Sequence, residues 1–350
     1  MASRRVGIKE VAAAAGVSIT TVSHALNGKG RLTDETRQRV REVATALDYQ
    51  PSALARGLAG GRTGMLALAV SFVDDFSLPV ADFDYFLQVM NAATSTALEL
   101  GYSLTLLPTD ARSTRLDRLP LDGAVVMDPV RHDRIVEPLT GRGVHVVTTG
   151  RMPGGPESAC WVDNDHIAGT RAMLEHLEEE GARQIALLTA PVTSSYTIDA
   201  LQAYEAWCAE HDAEPIVATI DETSEGGAFA AANELLDAAD PPDAIYATLD
   251  RLALGVLLAA EGKGVRVPED LRIAGCTDSE ASRAARPALT ALSLNPERLG
   301  REAIELLIEL IEHGVPEEPH RIVPSLVIPR GSTRTIAPST LREKGSRWSS

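Results

Sequence analysis

Between residues 65 and 313, short apolar runs alternate with longer amphipathic stretches, and this alternation restricts the chain to a layered α/β architecture. The runs at 65–70, 103–107, 123–127, 144–148, 185–188, 216–218, 244–247, 272–275 and 289–294 have the length of strands. The stretches at 83–100, 165–180, 201–212, 227–239, 251–262 and 296–313 carry helical periodicity or acidic first turns. Strands joined through helices run parallel, because a parallel neighbour needs a long crossover where an antiparallel one needs only a tight turn. The expectation is two doubly wound parallel sheets with a ligand cleft at the carboxyl ends of their strands.

The first 62 residues follow another rule. Ile8, Val11, Ala12 and Ala15 form a helical stripe that Gly16 ends. Ser18 is placed to cap a second helix with apolar positions Val22, Ala25 and Leu26, which Asn27-Gly28 stops. Thr33-Asp-Glu-Thr opens a third, whose apolar side is Val40, Val43, Ala44 and Leu47. Helix, tight turn, helix lets the second helix lie in a DNA major groove. Its outward side, Ile19-Thr20-Thr21 with Ser23 and His24, is small and polar around one imidazole that can donate to a guanine acceptor.

Charge divides the chain the same way. The net charge is −16, yet residues 1–62 hold ten basic and five acidic side chains. A basic head on an acidic body directs phosphate contact to the head alone. The three cysteines, Cys160, Cys208 and Cys276, have no metal or paired spacing and read as reduced, buried thiols. No apolar run is long enough to span a membrane and the amino terminus lacks a secretory core, which points to the cytoplasm. A transport-type binding protein would need that core and no basic head. Walker, GxSxG, HExxH and dinucleotide-binding motifs are absent, so neither an enzyme nor a cofactor is expected.

The head resembles the LacI/GalR family nearly without a break over residues 7–58. The matching residues are Ile8-Lys-Glu-Val-Ala, Gly16-Val-Ser, Thr21-Val-Ser-His-Ala-Leu-Asn, Thr33-Asp-Glu-Thr-Arg, Leu47-Asp-Tyr-Gln-Pro and Ala53-Leu-Ala-Arg-Gly-Leu. His24 looks like the purine-repressor variant of the recognition helix. Gly7 departs from a common threonine cap, so the first helix is expected to fray more. Phrases such as Leu121-Asp-Gly-Ala-Val-Val, Val162-Asp-Asn-Asp and Pro287-Ala-Leu-Thr resemble the same family's effector domain, a periplasmic-binding-protein-like fold.

The resemblance implies a domain plan of a helix-turn-helix head at 1–50, a hinge at 51–61 and an effector and dimerisation domain at 62–331; the polar, Ser- and Arg-rich composition of the end of the chain reads as a disordered tail at 332–350. Within the effector domain one subdomain takes 62–162 plus 295–323 and the other 163–294, with three crossovers near Asp163, Asn295 and Val323. It implies a homodimer on double-stranded operator DNA, controlled by a small-molecule effector. DNA contacts would fall to Ser18, Ile19, Thr20, Thr21, Ser23, His24 and Asn27, with Ala55, Arg56 and a minor-groove wedge, Leu58, in the hinge.

For the effector the resemblance selects Tyr85, Phe86, Asn164, Glu222 and Asp250. Asp250 opens the helix after an apolar strand, where a helix cap and a ligand acceptor are both open readings. Ala200 stands where many relatives carry an effector-binding arginine, Glu222 where they often carry an aromatic, and Gly150 replaces a common aspartate. Losing a cation and gaining a carboxylate favours a neutral polyol, nucleoside or amine over an acid.

Overall fold

A computed structural model describes residues 6–26, 32–47, 49, 62–71, 80–107, 119–220 and 224–334, without the side chains of 80–83. Asn27, Ala55, Arg56, Leu58 and Glu222, together with the whole hinge, lie outside the described residues.

The head is three helices, α1 (Ile8–Ala15), α2 (Ile19–Leu26) and α3 (Asp34–Ala46). Val11, Ala12, Ala15, Val22, Ala25, Val40 and Ala44 form its buried centre, the stripes read from the sequence. Gly16 ends α1 at φ 66, a conformation that costs a residue with a Cβ about 1 kcal/mol or more. Ser18 and Thr33 cap α2 and α3 by accepting from the backbone N–H of Thr21 and Thr36. Gly7 has no side chain to cap α1, but the Glu10 carboxylate accepts from the Gly7 N–H at 3.1 Å and restores part of the lost cap.

The body alternates as expected. Its elements are β1 (Met65–Val70), α4 (Val80–Glu99), β2 (Ser103–Leu106), β3 (Gly123–Met127), α5 (Val136–Gly141), β4 (His145–Thr149), β5 (Cys160–Asn164) and α6 (His166–Glu179). There follow β6 (Ile185–Thr189), α7 (Ser195–Glu210), β7 (Ile216–Thr219), α8 (Glu225–Leu236), β8 (Ala244–Ala247), α9 (Asp250–Lys263), β9 (Arg272–Cys276) and α10 (Glu280–Ala284). The last are β10 (Thr290–Ser293), α11 (Pro296–His313), β11 (His320–Val323) and β12 (Leu326–Ile328).

The first sheet has the order β11-β5-β4-β3-β1-β2, and the second β12-β10-β9-β8-β6-β7. Every pairing is parallel except β12 against β10. Central strands such as β3, Gly-Ala-Val-Val-Met, are buried throughout because helices cover both sheet faces. The helix α11 lies on the first sheet so closely that a Cβ on Gly123 would come within 2.8 Å of Leu307 and Ile311. It also crosses α4 at Gly300, where a Cβ would meet the Val89 carbonyl at 2.4 Å.

Three crossovers join the sheets, after β5, after β10 and after β11. The strand β12 carries 326–328 into the second sheet, the side to which a crossover near Val323 leads. One boundary shifts, the start of the expected tail at 332. Ser332 and Thr333 are fully buried, and the Ser332 hydroxyl donates to the Ile273 carbonyl at 2.5 Å.

Candidate functional site

The carboxyl ends of both sheets face one another across a cavity of about 170 Å³. From the first subdomain come Tyr85 and Phe86 on α4, with Asp128 and Val130 just after β3. The second supplies Pro191, Thr193, Ser194 and Tyr196 around the start of α7, Thr248 and Leu249 after β8, and Cys276 and Thr277 at the end of β9. The Tyr85 and Phe86 rings meet edge to face at 5.3 Å and build an apolar wall. Burial and then the neighbouring Asp128 charge push the Tyr85 hydroxyl well above its ordinary pKa, so it is a neutral donor there.

Asp128 is the one charged side chain on this wall among the described residues. Its backbone takes φ 47, uncommon for a residue other than glycine. Burial and the nearby Asp163 charge raise its carboxyl to about 7, with His166 opposing.

Asp163 and Asn164, at the first crossover, hold the hinge. Asp163 is buried and accepts from the Arg151 N–H and Nε, the Ser195 hydroxyl and the Asn164 N–H, with His166 Nε2 at 3.2 Å. Burial resists its ionisation, but His166 and then Arg151 outweigh burial and hold the pKa below the usual value. Arg151 also pairs with Asp199 on α7, so one guanidinium ties both subdomains. At the other side of the cleft Asp84 on α4 accepts from Arg283 and from the Glu280 N–H of α10, both at 3.2 Å.

Two residues expected at the ligand are not among those lining this cavity. Asn164 does not line the cavity. It is 3% exposed, and its amide donates to the Leu294 and Val323 carbonyls, each at 2.9 Å, tying the three crossovers together. Asp250 is also withdrawn. It is fully buried behind the wall, accepts from the Ser279 N–H at 2.5 Å, and is raised to about 6 by burial against those hydrogen bonds. A Cβ on Gly275 would come within 2.5 Å of its Oδ1, so the glycine leaves room for this carboxylate. Ala200 is buried on α7. The hydroxyl-bearing residues Thr193, Ser194, Thr248 and Thr277 escaped the sequence reading because isolated hydroxyls in loops leave no periodic signal.

In the head, Val22 and Ala25 turn inward while Ile19, Thr20, Ser23 and His24 occupy the outer side of α2. Ile19 is 45% exposed on that outer side. Ser18 and Thr21 share a 2.8 Å hydroxyl contact at the exposed amino end. No helix among the described residues is long and apolar enough to cross a membrane. The three cysteines are buried and unpaired.

Comparison with known proteins gives the same division. Residues 7–52 match the sequence profile of bacterial regulatory proteins, lacI family, and residues 174–333 that of a periplasmic binding protein-like domain. The chain is 34% identical over 334 residues to the HTH-type transcriptional regulator CelR of Thermobifida fusca, covering 91% of this chain and 96% of that one. It is 32% identical to the HTH-type transcriptional repressor PurR of Mannheimia succiniciproducens, covering 94% and 99%. A solved CelR-cellobiose complex superposes with TM-score 0.71 at 29% identity, covering 94% of this chain and all of the other. A lac repressor dimer bound to operator and anti-inducer shares the fold with TM-score 0.71 at 24% identity. The relatives are named as helix-turn-helix transcriptional regulators, and they match this protein over head and body alike. The chain belongs to the LacI family of bacterial transcriptional regulators, DNA-binding proteins modulated by a small molecule.

Proposed function

We propose that this protein is a cytoplasmic homodimeric repressor whose operator affinity is set by a neutral saccharide in the cleft between its two sheets, with no catalytic step. The cavity lining carries this reading. Among the described residues, aromatic faces, the hydroxyls of Thr193, Ser194, Thr248 and Thr277 and a single carboxylate with no cation suit a ligand rich in hydroxyls and poor in negative charge. The cellobiose complex of the CelR relative supports it. A purine is the second reading, favoured by the Tyr85–Phe86 wall and by the PurR relatives.

The outer side of α2 is the proposed base-reading surface, with Ile19, Thr20, Ser23 and His24 in the groove and Ser18 and Thr21 against the backbone. Two copies would address a two-fold symmetric duplex, with Asn27, Ala55, Arg56 and Leu58 completing each half-site.

A thermal-shift panel of cellobiose, other neutral disaccharides, hypoxanthine and guanine tests the ligand. A ligand at a hundred times its Kd stabilises by about 2.7 kcal/mol. Stabilisation by the purines alone would discard the saccharide reading. The same ligand must then change retention of a selected palindromic duplex, because coupling between two sites is reciprocal.

A further inference from the structure

We propose that Asp128 is the specificity-determining acceptor of the cleft, taking donated hydrogen bonds from a hydroxyl pair of a neutral saccharide and excluding acidic sugars. The inference rests on the saccharide reading above and adds the residue that enforces it.

The other described carboxylates around the cleft have partners. Asp163 and Asp199 hold Arg151, Asp84 holds Arg283, and Asp278 holds Arg330 at 2.6 Å. Asp250, off the cavity, takes the Ser279 N–H on one oxygen while its Oδ1 is buried without a donor. Asp133, behind β3, accepts from the N–H groups of Val130, Ile135 and Val136. Asp128 differs. Among the described residues its carboxylate accepts no hydrogen bond, although it lines the cavity. A half-buried carboxylate without donors is costly unless a partner arrives.

Backbone geometry points the same way. Asp128 is held at φ 47 between its own N–H, which donates to the Thr149 carbonyl at 2.8 Å, and Pro129. Such strain gathers where a side chain must be aimed. Gly150, at φ 93 after β4, lies beside it, and a Cβ there would stand 3.3 Å from Ser195 Oγ and 3.6 Å from Asp128 Oδ1. A second carboxylate at 150 would set a like charge against Asp128. No cation lines the wall among the described residues, so an acidic ligand would meet Asp128 with nothing to offset it.

Proton linkage follows from that arrangement. Asp163 of β5, His166 of α6 and Tyr85 of α4 are the titratable groups around Asp128. Ligand donors favour its ionised form, so binding must release a proton below a pH of about 7, the value to which the empty site raises it. Affinity therefore rises as pH climbs toward 7 and levels off above it.

The test titrates cellobiose calorimetrically into the full-length parent and into Asp128→Asn at pH 6, 7 and 8. Asparagine is nearly isosteric and tolerates a positive φ, so the variant should fold. Loss of a charge-assisted acceptor should weaken binding by about ten- to a hundredfold at pH 8, and the remaining binding should be flat with pH. Glucuronic acid, which should not shift the parent's melting, should stabilise the variant. Parent affinity together with the parent's pH profile in Asp128→Asn would overturn the role of Asp128 while leaving the saccharide reading intact. Absence of binding by cellobiose and every other neutral disaccharide to the parent would overturn both.

Discussion

Replacing Asn164 by alanine should destabilise the body without touching the ligand surface. The amide is 3% exposed and donates to the Leu294 and Val323 carbonyls, both at 2.9 Å. Each buried carbonyl left without a donor costs about 1–3 kcal/mol, so the pair should lose about 2–4 kcal/mol after partial relaxation. That is a large share of a total stability on the order of 5–15 kcal/mol. Aspartate should be worse than alanine, because it turns an acceptor toward two carbonyls. Urea unfolding followed by tryptophan fluorescence measures this, since Trp161 and Trp207 lie in the body and the head contains no tryptophan. A loss below about 0.5 kcal/mol for alanine, or an aspartate variant as stable as the parent, would refute the hinge assignment. Reduced cellobiose affinity at unchanged stability would return Asn164 to the ligand.

Asp250→Asn should flatten the dependence of body stability on pH. Its folded pKa of about 6 lies above the ordinary 3.8, so the stability it contributes is fully present below the unfolded value and is lost as pH rises through 6, by on the order of 3 kcal/mol. Urea midpoints of parent and variant between pH 4 and 7 check this, and parallel curves would sink it. Gly275→Ala should cost about 1–3 kcal/mol because its Cβ falls 2.5 Å from Asp250 Oδ1 inside a packed strand, which the same unfolding assay reads. His24→Ala should weaken binding to the preferred palindrome by about 1–3 kcal/mol and relax one base pair per half-site, measured by fluorescence anisotropy over a duplex library. A uniform loss over all sequences would make His24 a phosphate contact instead.

What was legible in the sequence follows from how each part is stabilised. The head's three helices came out at their observed positions because capping residues and a 3.6-residue stripe are local signals. Central strands were equally plain, being apolar on both faces. The strand β5, Cys-Trp-Val-Asp-Asn, lacked that signature because its last two residues are polar hinge groups buried by specific partners. For α7, the expected start at 201 fell six residues late for the same reason. Ser195, Thr197 and Asp199 are buried polar residues facing the hinge and cleft, so apolar periodicity begins only beyond them. Asp250 stayed open between cap and ligand contact in the sequence because one turn position serves a cap, a loop anchor or a ligand contact, and its hydrogen bond from the Ser279 N–H comes from the tertiary path of 277–279. Asp128 gave no signal, since its significance lies in having no partner.

The distribution of ties between the subdomains bears on how the switch works. At the hinge they are buried: Asn164 holds two carbonyls, and Asp163 collects Arg151, Ser195 and the Asn164 N–H. Across the mouth the tie is Asp84 with Arg283 and the Glu280 N–H, and Arg283 is 45% exposed. Exposed ion pairs contribute about 0–1 kcal/mol and weaken with salt, whereas a buried hydrogen bond left open costs more. The hinge is therefore expensive to break and the mouth cheap to open. A ligand need supply only a few kcal/mol of differential contact to move the population between open and closed arrangements. Asp128 on one subdomain and Thr193, Ser194, Thr248 and Thr277 on the other stand where such contacts count, because a ligand reaching both walls gains them together only when the cleft is shut. Arg283→Ala removes the ion pair of the mouth tie, leaving the Glu280 N–H on Asp84, and none of those contacts. Ligand affinity should then fall by no more than the worth of one exposed pair, about fivefold at low salt, with the difference vanishing at high salt. A loss of a hundredfold or more that persists at high salt would mean that the mouth, not the ligand, holds the cleft shut.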